Sequence, residues 1–276
     1  MSLPSHFVKM AGGGNDFLVF EADGRELTPE DQQHLALVCR RGLSVGADGA
    51  LFLSPSETGH VRLDYFNSDG GPATFCANGT RCAARYAVKH GMVARVNPTL
   101  ETGWGAIEAR VDHERVTLSL PPVAPPQDPI PISGRGLPPT AIPMTIGVPH
   151  LVVFVRGDLG KLAIDRLGPP LRRHPAMPDG ANVNFVRAAG ANRLEIRSYE
   201  RGVEGETLSC GSGVVASAIA AGRQGIAASP VTCGTKSGVD LTVEFEDQGE
   251  TITRVRLTGD ARELYSAELA EEAWKP

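Results

Sequence analysis

The 276-residue sequence predicts an α+β fold of two pseudo-symmetric domains, each a mostly antiparallel β-sheet or barrel wrapped around a central helix. Three observations carry this expectation. A proline-dense stretch, residues 121–143, holds nine of the 21 prolines; it cannot be helical and divides the chain almost in half. The halves align at a constant offset of 134 residues. Phe17-Leu18-Val19-Phe20 falls over Leu151-Val152-Val153-Phe154, Gly46-Ala47-Asp48 over Gly180-Ala181-Asn182, Tyr65 over Tyr199, and Cys76-Ala77-Asn78-Gly79 over Cys210-Gly211-Ser212-Gly213. Four blocks in one register point to an internal duplication. Finally, strand-like runs with short turns outnumber helical ones, which favours antiparallel sheets over an alternating βαβ sheet.

The elements follow in order. Strand patterns cover Asp16–Glu21, Ala50–Leu53, Val61–Phe66 and Ala106–Val111, then Leu151–Val155, Asn182–Val186, Leu194–Tyr199 and Leu241–Phe245. The cluster Asn67-Ser68-Asp69-Gly70-Gly71 is a turn. A first helix has Thr28 as its N-cap, Pro29 at the first helical position, Glu30 and Asp31 in the first turn, and Gly42 beyond its end. Two more helices start just after Cys76 and Cys210 and end near Gly91 and Gly225. The domains are expected at 1–120 and 121–261.

Composition narrows the function classes. Hydrophobic residues make up 41% of the chain, enough for a real core. The formal net charge is -5 and no Lys/Arg block occurs, which argues against nucleic acid or an anionic membrane as partner. The N-terminal Met1-Ser2-Leu3-Pro4-Ser5-His6 has no targeting pattern and no apolar run approaches about 18 residues, so the cytoplasm is expected. Gly12-Gly13-Gly14 lacks the Gly-Lys-[Ser/Thr] of a phosphate loop. The seven histidines show no metal-ligand spacing, and no metal or cofactor is expected.

Five cysteines (39, 76, 82, 210 and 233) are an odd, dispersed set with no C-x-x-C, so neither a disulfide framework nor a zinc knuckle is indicated. Cys39, Cys82 and Cys233 are expected to pack in the core, as most cysteines do. Cys76 and Cys210 differ because each Cys-x-x-Gly lies where a loop enters a helix. Unpaired backbone N–H groups and the positive end of the dipole favour an anion there. Such a position lowers a thiol from about 8.5 toward neutrality. The same N–H groups can hold a substrate carboxylate. Inverting a carbon centre without redox chemistry needs a base on one face and an acid on the other, and two thiols from a duplicated pair supply both.

At these residues the chain resembles the diaminopimelate epimerase family. The shared motifs are Gly14-Asn15-Asp16-Phe17, Phe66-Asn67-Ser68-Asp69-Gly70, Cys76-Ala77-Asn78-Gly79-Thr80-Arg81-Cys82, Pro149-His150, and Tyr199-Glu200-Arg201-Gly202 with Glu206-Thr207-Leu208-Ser209-Cys210-Gly211-Ser212-Gly213. The resemblance implies interconversion of LL- and meso-diaminopimelate, an isomerase of lysine and cell-wall precursor synthesis that uses no cofactor. It also implies a last strand, Arg262–Glu268, returning to the first domain. Cys76 and Cys210 carry over as the acid/base pair, with His150 and Glu200 each beside one cysteine. Backbone N–H groups of Ala77, Asn78, Gly211 and Ser212 would hold the reacting carboxylate. Asn15, Asn67, Asn182 and Arg201 would grip the remote end, and Glu200 its ammonium. Chemistry agrees, since a doubly zwitterionic substrate calls for a planar donor such as Arg201, and an imidazole beside a thiol can take its proton. The expected partner is a small molecule, with a homodimer left open.

Four positions depart from the family pattern. Ala77 replaces Gly after the first cysteine, Gly49 stands where some members place Gln, Glu204 lengthens the Arg-Gly-to-Cys spacing by one, and Val148 replaces Asn before Pro-His. The last leaves a racemase of another amino acid, such as histidine, as an alternative. A non-catalytic amino-acid-binding protein and a thiol-redox protein are the alternatives from other classes.

Overall fold

The computed structural model describes residues 3–275; Met1 and Ser2, at the start of the N-terminal segment read above, and Pro276 lie outside it. Two compact units are present, one running to Leu118 and resuming at Gly259, the other spanning Ser119–Thr258.

In the first unit the order is β1 (His6–Gly12), β2 (Asn15–Glu21), α1 (Pro29–Val38), β3 (Gly49–Pro55) and β4 (Val61–Asn67). Then come β5 (Pro72–Ala73), α2 (Ala77–Lys89), β6 (Thr99–Thr102), β7 (Gly105–Asp112) and β8 (Arg115–Ser119). The second unit repeats the plan after a short β9 (Ile130–Pro131). It runs β10 (Thr140–Ile146), β11 (Val148–Phe154), α3 (Ile164–Arg172), β12 (Asn182–Gly190) and β13 (Arg193–Glu200). β14 (Gly205–Thr207), α4 (Gly211–Arg223), β15 (Val231–Thr235), β16 (Asp240–Asp247) and β17 (Ile252–Asp260) complete it. A last strand, β18 (Arg262–Glu268), pairs antiparallel with β1 in the first unit.

Pairing makes the repeat explicit. β1–β2, β3–β4 and β6–β7 are antiparallel hairpins, as are β10–β11, β12–β13 and β15–β16. Between hairpins the neighbours are parallel: β2–β3 and β4–β6 in one unit, β11–β12 and β13–β15 in the other. Parallel neighbours need a crossover, and α1, α2, α3 and α4 each supply one. α2 packs against β1, β2, β3, β4, β6, β7 and β18, and α4 against β10, β11, β12, β13, β15 and β16. Each is therefore the axis of a rolled, mostly antiparallel sheet.

Local sequence explains the helix ends. Thr28 and Asp31 form a reciprocal capping box on α1, which stops at Val38 with Cys39 as C-cap. Gly91 and Gly225 follow α2 and α4 with φ of 74° and 66°, the left-handed conformation that closes a helix without Cβ strain. α2 and α4 are buried nearly all round; in α4 Ala, Gly and Ser dominate and let the sheet approach from every side.

Two features differ from the sequence expectation. α3 lies where no helix is expected, since Pro169 and Pro170 fall inside it. Ile164, Leu167 and Leu171 form one buried face, and this packing outweighs an interior proline penalty of about 3 kcal/mol. The proline-dense segment also ends in a strand that the sequence patterns do not assign. That strand is β10, whose Pro143 pairs with Leu151. No helix among the described residues is long and apolar enough to cross a membrane.

α3 sits tightly on β13. A Cβ at Gly168 would come within 2.4 Å of the Tyr199 ring. Gly168→Ala should therefore cost about 1–3 kcal/mol in urea unfolding, the usual range for overpacking. An unchanged midpoint would show that the ring yields freely.

Candidate active site

Cys76 is the N-cap of α2, with extended backbone (φ −139°, ψ 108°), and its Sγ accepts the Gly79 N–H at 3.5 Å. Behind it runs a polar chain. The Arg81 guanidinium, fully buried, donates to Asn78 Oδ1 at 2.6 Å; Asn78 Nδ2 donates to Asn15 Oδ1 at 2.8 Å; Asn15 Nδ2 donates to Asp48 Oδ2 at 2.9 Å. Burial pushes the Arg81 pKa down, while nearby Cys82, Asp260 and Cys76 oppose that shift. The amides of Asn15 and Asn78 are thus committed to each other. A Cβ at Gly79 would lie 2.9 Å from the Leu51 side chain, so Leu51 would have to shift to admit one. Asn67 ends β4 exposed, and its carbonyl accepts the Gly70 N–H at 2.9 Å, so its backbone closes the turn. Asp69 accepts from Gly71 N at 2.8 Å and is a turn residue.

In the second unit Cys210 is the N-cap of α4 in the matching conformation (φ −117°, ψ 105°). Ser212 Oγ lies 3.7 Å from its Sγ and Asn182 Nδ2 lies 4.0 Å away. Asn182 Oδ1 accepts the Arg201 N–H at 2.8 Å, tying the Arg201 backbone to the strand that supports the thiol. Arg201 Nη1 donates to the Asp179 carbonyl at 2.8 Å, and Thr207 Oγ1 to Glu200 Oε1 at 2.5 Å.

Here the structure departs from the expected acidified thiol. Burial, followed by the Glu200 charge, pushes Cys210 well above its ordinary value, and the Gly213 N–H and Ser212 hydroxyl do not compensate. Cys210 therefore carries its proton at neutral pH. Cys39, Cys82 and Cys233 are buried, and burial raises each to about 12, consistent with packing.

His150 on β11 is fully buried, and burial with the nearby Arg201 charge drives its pKa down to about 3. It is neutral at any physiological pH, so it is no cationic partner for a thiolate. Its Nδ1 lies 3.2 Å from Asn184 Nδ2, and Asn184 Oδ1 accepts from Ser198 Oγ at 2.8 Å. Asn184 and Arg81 escaped the sequence reading as functional residues. The signal was present in Asn182-Val183-Asn184, where two polar residues share one face of a buried strand.

The departures from the family pattern have physical outcomes. A Cβ at Gly49 would meet the Phe66 carbonyl at 2.5 Å and the Tyr65 ring at 2.8 Å, so Tyr65 fills the space of any longer side chain. Glu204 takes a left-handed conformation (φ 54°), and its N–H donates to the Glu200 carbonyl at 2.9 Å, absorbing the extra residue in one turn. Its carboxylate pairs with Arg172 at 2.7 Å and Arg173 at 3.3 Å, anchoring the Arg201 loop to α3. Ala77 keeps its N–H at the first helical position. Val148 opens β11, half-buried, two residues before His150 on the same strand face.

Two-domain duplicated α+β isomerases share this fold. A probable proline racemase from Agrobacterium radiobacter K84 superposes with a TM-score of 0.73 over 97% of this chain and 93% of that one, at 16% identity. Sequence comparison is more specific. The family model described as diaminopimelate epimerase matches residues 7–121 and 143–263. The diaminopimelate epimerase of Methanothrix thermoacetophila is 38% identical over 257 residues, 87% of this chain and 88% of that protein. That of Gemmatimonas aurantiaca is 36% identical over 278 residues, 96% and 99% of the two chains. The chain belongs to the diaminopimelate epimerase family.

A histidine depressed from 6.5 to about 3 binds its proton in the unfolded chain before the folded one as pH falls. The stability it contributes is complete above pH 6.5 and lost as pH drops from there toward 3. Relative to His150→Gln, the wild type should lose up to about 1.4 kcal/mol per pH unit below that point. Parallel stability–pH curves in urea titrations would mean that His150 titrates alike in the folded and unfolded chain.

Proposed function

We propose that this protein is a cofactor-independent amino-acid epimerase that interconverts LL- and meso-diaminopimelate, using Cys76 and Cys210 as its acid/base pair. The supporting observation is that a chain of this family places a cysteine at the N-cap of each central helix, at matched positions of its two repeats. Proton transfer at a carbon next to a carboxylate creates a planar carbanion whose charge spreads onto that carboxylate. The N–H groups of Ala77, Asn78, Gly211 and Ser212, in the first turns of two helices, are the donors suited to that charge.

One thiolate removes the α-proton from one face, and the opposite thiol delivers its proton to the other. The bond to one hydrogen breaks as a new one forms, and no electrons leave the substrate. The raised pKa of Cys210, from burial and Glu200, supports reading it as the acid of this pair in the resting protein, with Cys76 as the base. In the reverse direction the two exchange roles. Glu200 lies beside Cys210 and is the carboxylate that can take the thiol proton. Arg201 is the charged donor for the remote carboxylate, with Asn15, Asn67 and Asn182 around it in this reading. The product serves lysine and cell-wall precursor synthesis.

The test is solvent exchange by NMR with LL-diaminopimelate in deuterated water. Wild type should place deuterium at an α-carbon while forming the meso isomer. Cys76→Ala and Cys210→Ala should each lose roughly 10²–10⁴-fold in turnover, the contribution of an acid or base. Cys39→Ala and Cys233→Ala should keep most of it. Near-full activity in either Cys76 or Cys210 variant would rule out the pairing.

Glu200→Gln separates carboxylate from thiol. Removing the negative charge beside Cys210 should lower that thiol's pKa, so its alkylation should begin at lower pH than in wild type. Peptide mass spectrometry after iodoacetamide treatment across a pH series reads this directly. An unchanged profile would leave burial as the sole cause of the raised value.

A further inference from the structure

His150 is buried on β11, beside the parallel strand β12. Its Nε2 is also buried and has no hydrogen-bond partner among the described residues. Its other nitrogen, Nδ1, faces the side-chain amide of Asn184 at 3.2 Å. A neutral imidazole has one proton, and which nitrogen holds it depends on which end of that amide faces the ring.

The contact with Gly213 sets the amide's orientation, and that with Ser198 fits it. Ser198, directly opposite Asn184 across β12 and β13, donates its hydroxyl proton to the amide oxygen at 2.8 Å. The same oxygen lies over Gly213 in the first turn of α4, where a Cβ would approach it to 2.1 Å. An oxygen can sit against a Cα–H, and such contacts are weakly favourable. An NH2 group turned to this side would drive its hydrogens into the Gly213 Cα–H. The oxygen therefore faces Gly213 and Ser198, and the NH2 faces the imidazole. An NH2 can only donate, so Nδ1 accepts and the ring proton resides on Nε2. A buried N–H without a partner costs about 1–3 kcal/mol, a cost the fold carries at Nε2.

We propose that Ser198 and Asn184 are positioning residues that lock His150 as its Nε2–H tautomer, making it a hydrogen-bond donor to an anionic oxygen or sulfur in the epimerase site. The role rests on the proposed epimerase reaction; the tautomer does not. It reverses the expectation that the imidazole takes a thiol's proton. A ring whose Nδ1 lone pair is occupied and whose Nε2 already bears hydrogen has no site for that proton. Glycine at 213 follows from the same arrangement, since any side chain there would displace the Asn184 oxygen. The depressed basicity of the buried ring agrees with a neutral donor.

The experiment uses the full chain labelled with ¹⁵N-histidine. A long-range ¹H–¹⁵N correlation spectrum at neutral pH, with His150 assigned by its absence in His150→Gln, should show a protonated Nε2 and an unprotonated Nδ1. A proton on Nδ1, or on both nitrogens, overturns the proposal without any functional variant having to fold. Asn184→Asp replaces the donor facing Nδ1 by an acceptor and should move the proton to Nδ1. It should then lower kcat for diaminopimelate by roughly 10–100-fold, the loss of one hydrogen bond to a charged group, with KM changing far less. An inverted tautomer with full kcat would overturn the role in turnover. Wild type showing Nε2–H but no turnover of diaminopimelate would overturn the substrate reading and leave the tautomer standing.

Discussion

Everything at the candidate site depends on burying a helix on all sides within one sheet. A helix in that position cannot leave its first N–H groups to water, and it has none of the exposed polar face that most helices keep. α4 answers with mostly small side chains along its length, α2 with alanines interspersed with the buried Arg81 and Tyr86, and both with a cysteine at the N-cap. The thiol is a weak acceptor, so the first turn keeps most of its capacity for an anion. In the proposed reaction, the placement of the thiol and the capacity for an anion are therefore consequences of one packing solution. The nearly unbroken burial of α4 from Gly211 to Ala221 is the strongest expression of it.

Duplication repeats the backbone without repeating the electrostatics. Position 81 in the first repeat is a buried arginine behind Cys76; 134 residues later the same position is Val215. Asp16, paired with Lys9 and Arg41, has His150 as its counterpart. Phe66 and Asn67 correspond to Glu200 and Arg201. Two similar scaffolds thus place a cation behind one thiol and a carboxylate beside the other. Burial first, and then that carboxylate, disfavour the thiolate, so Cys210 holds its proton. The asymmetry lies entirely in side chains that the backbone symmetry leaves free to differ.

The polar networks show how the buried asparagines divide their work. Asn15 and Asn78 bond to each other, and Asn182 holds the Arg201 backbone while touching the Cys210 sulfur. Asn184 connects Ser198 to the His150 ring. A side chain that satisfies its own hydrogen bonds within the fold acts by holding something else in place. This is why several residues of the shared motifs serve as scaffolding for their neighbours.

Much of the architecture was legible in the sequence because its causes are local. Thr28, Pro29 and Asp31 specify a helix start wherever they occur, and Gly91 and Gly225 specify helix ends through their φ angles. The repeat and the paired Cys-x-x-Gly blocks needed only comparison of the chain with itself. Tertiary structure decided the rest. α3 exists because Ile164, Leu167 and Leu171 have β-strands to pack on, a benefit invisible to a propensity that forbids Pro169 and Pro170. The protonation of Cys210 followed from burial and Glu200, against the local tendency of a helix N-terminus. The state of His150 came from residues 34 and 48 positions away in the chain, brought within hydrogen-bonding reach only by the parallel and antiparallel pairing of three strands. Sequence thus determines what is set by neighbours along the chain; desolvation and distant partners, which set pKa values and tautomers, exist only once the chain has folded.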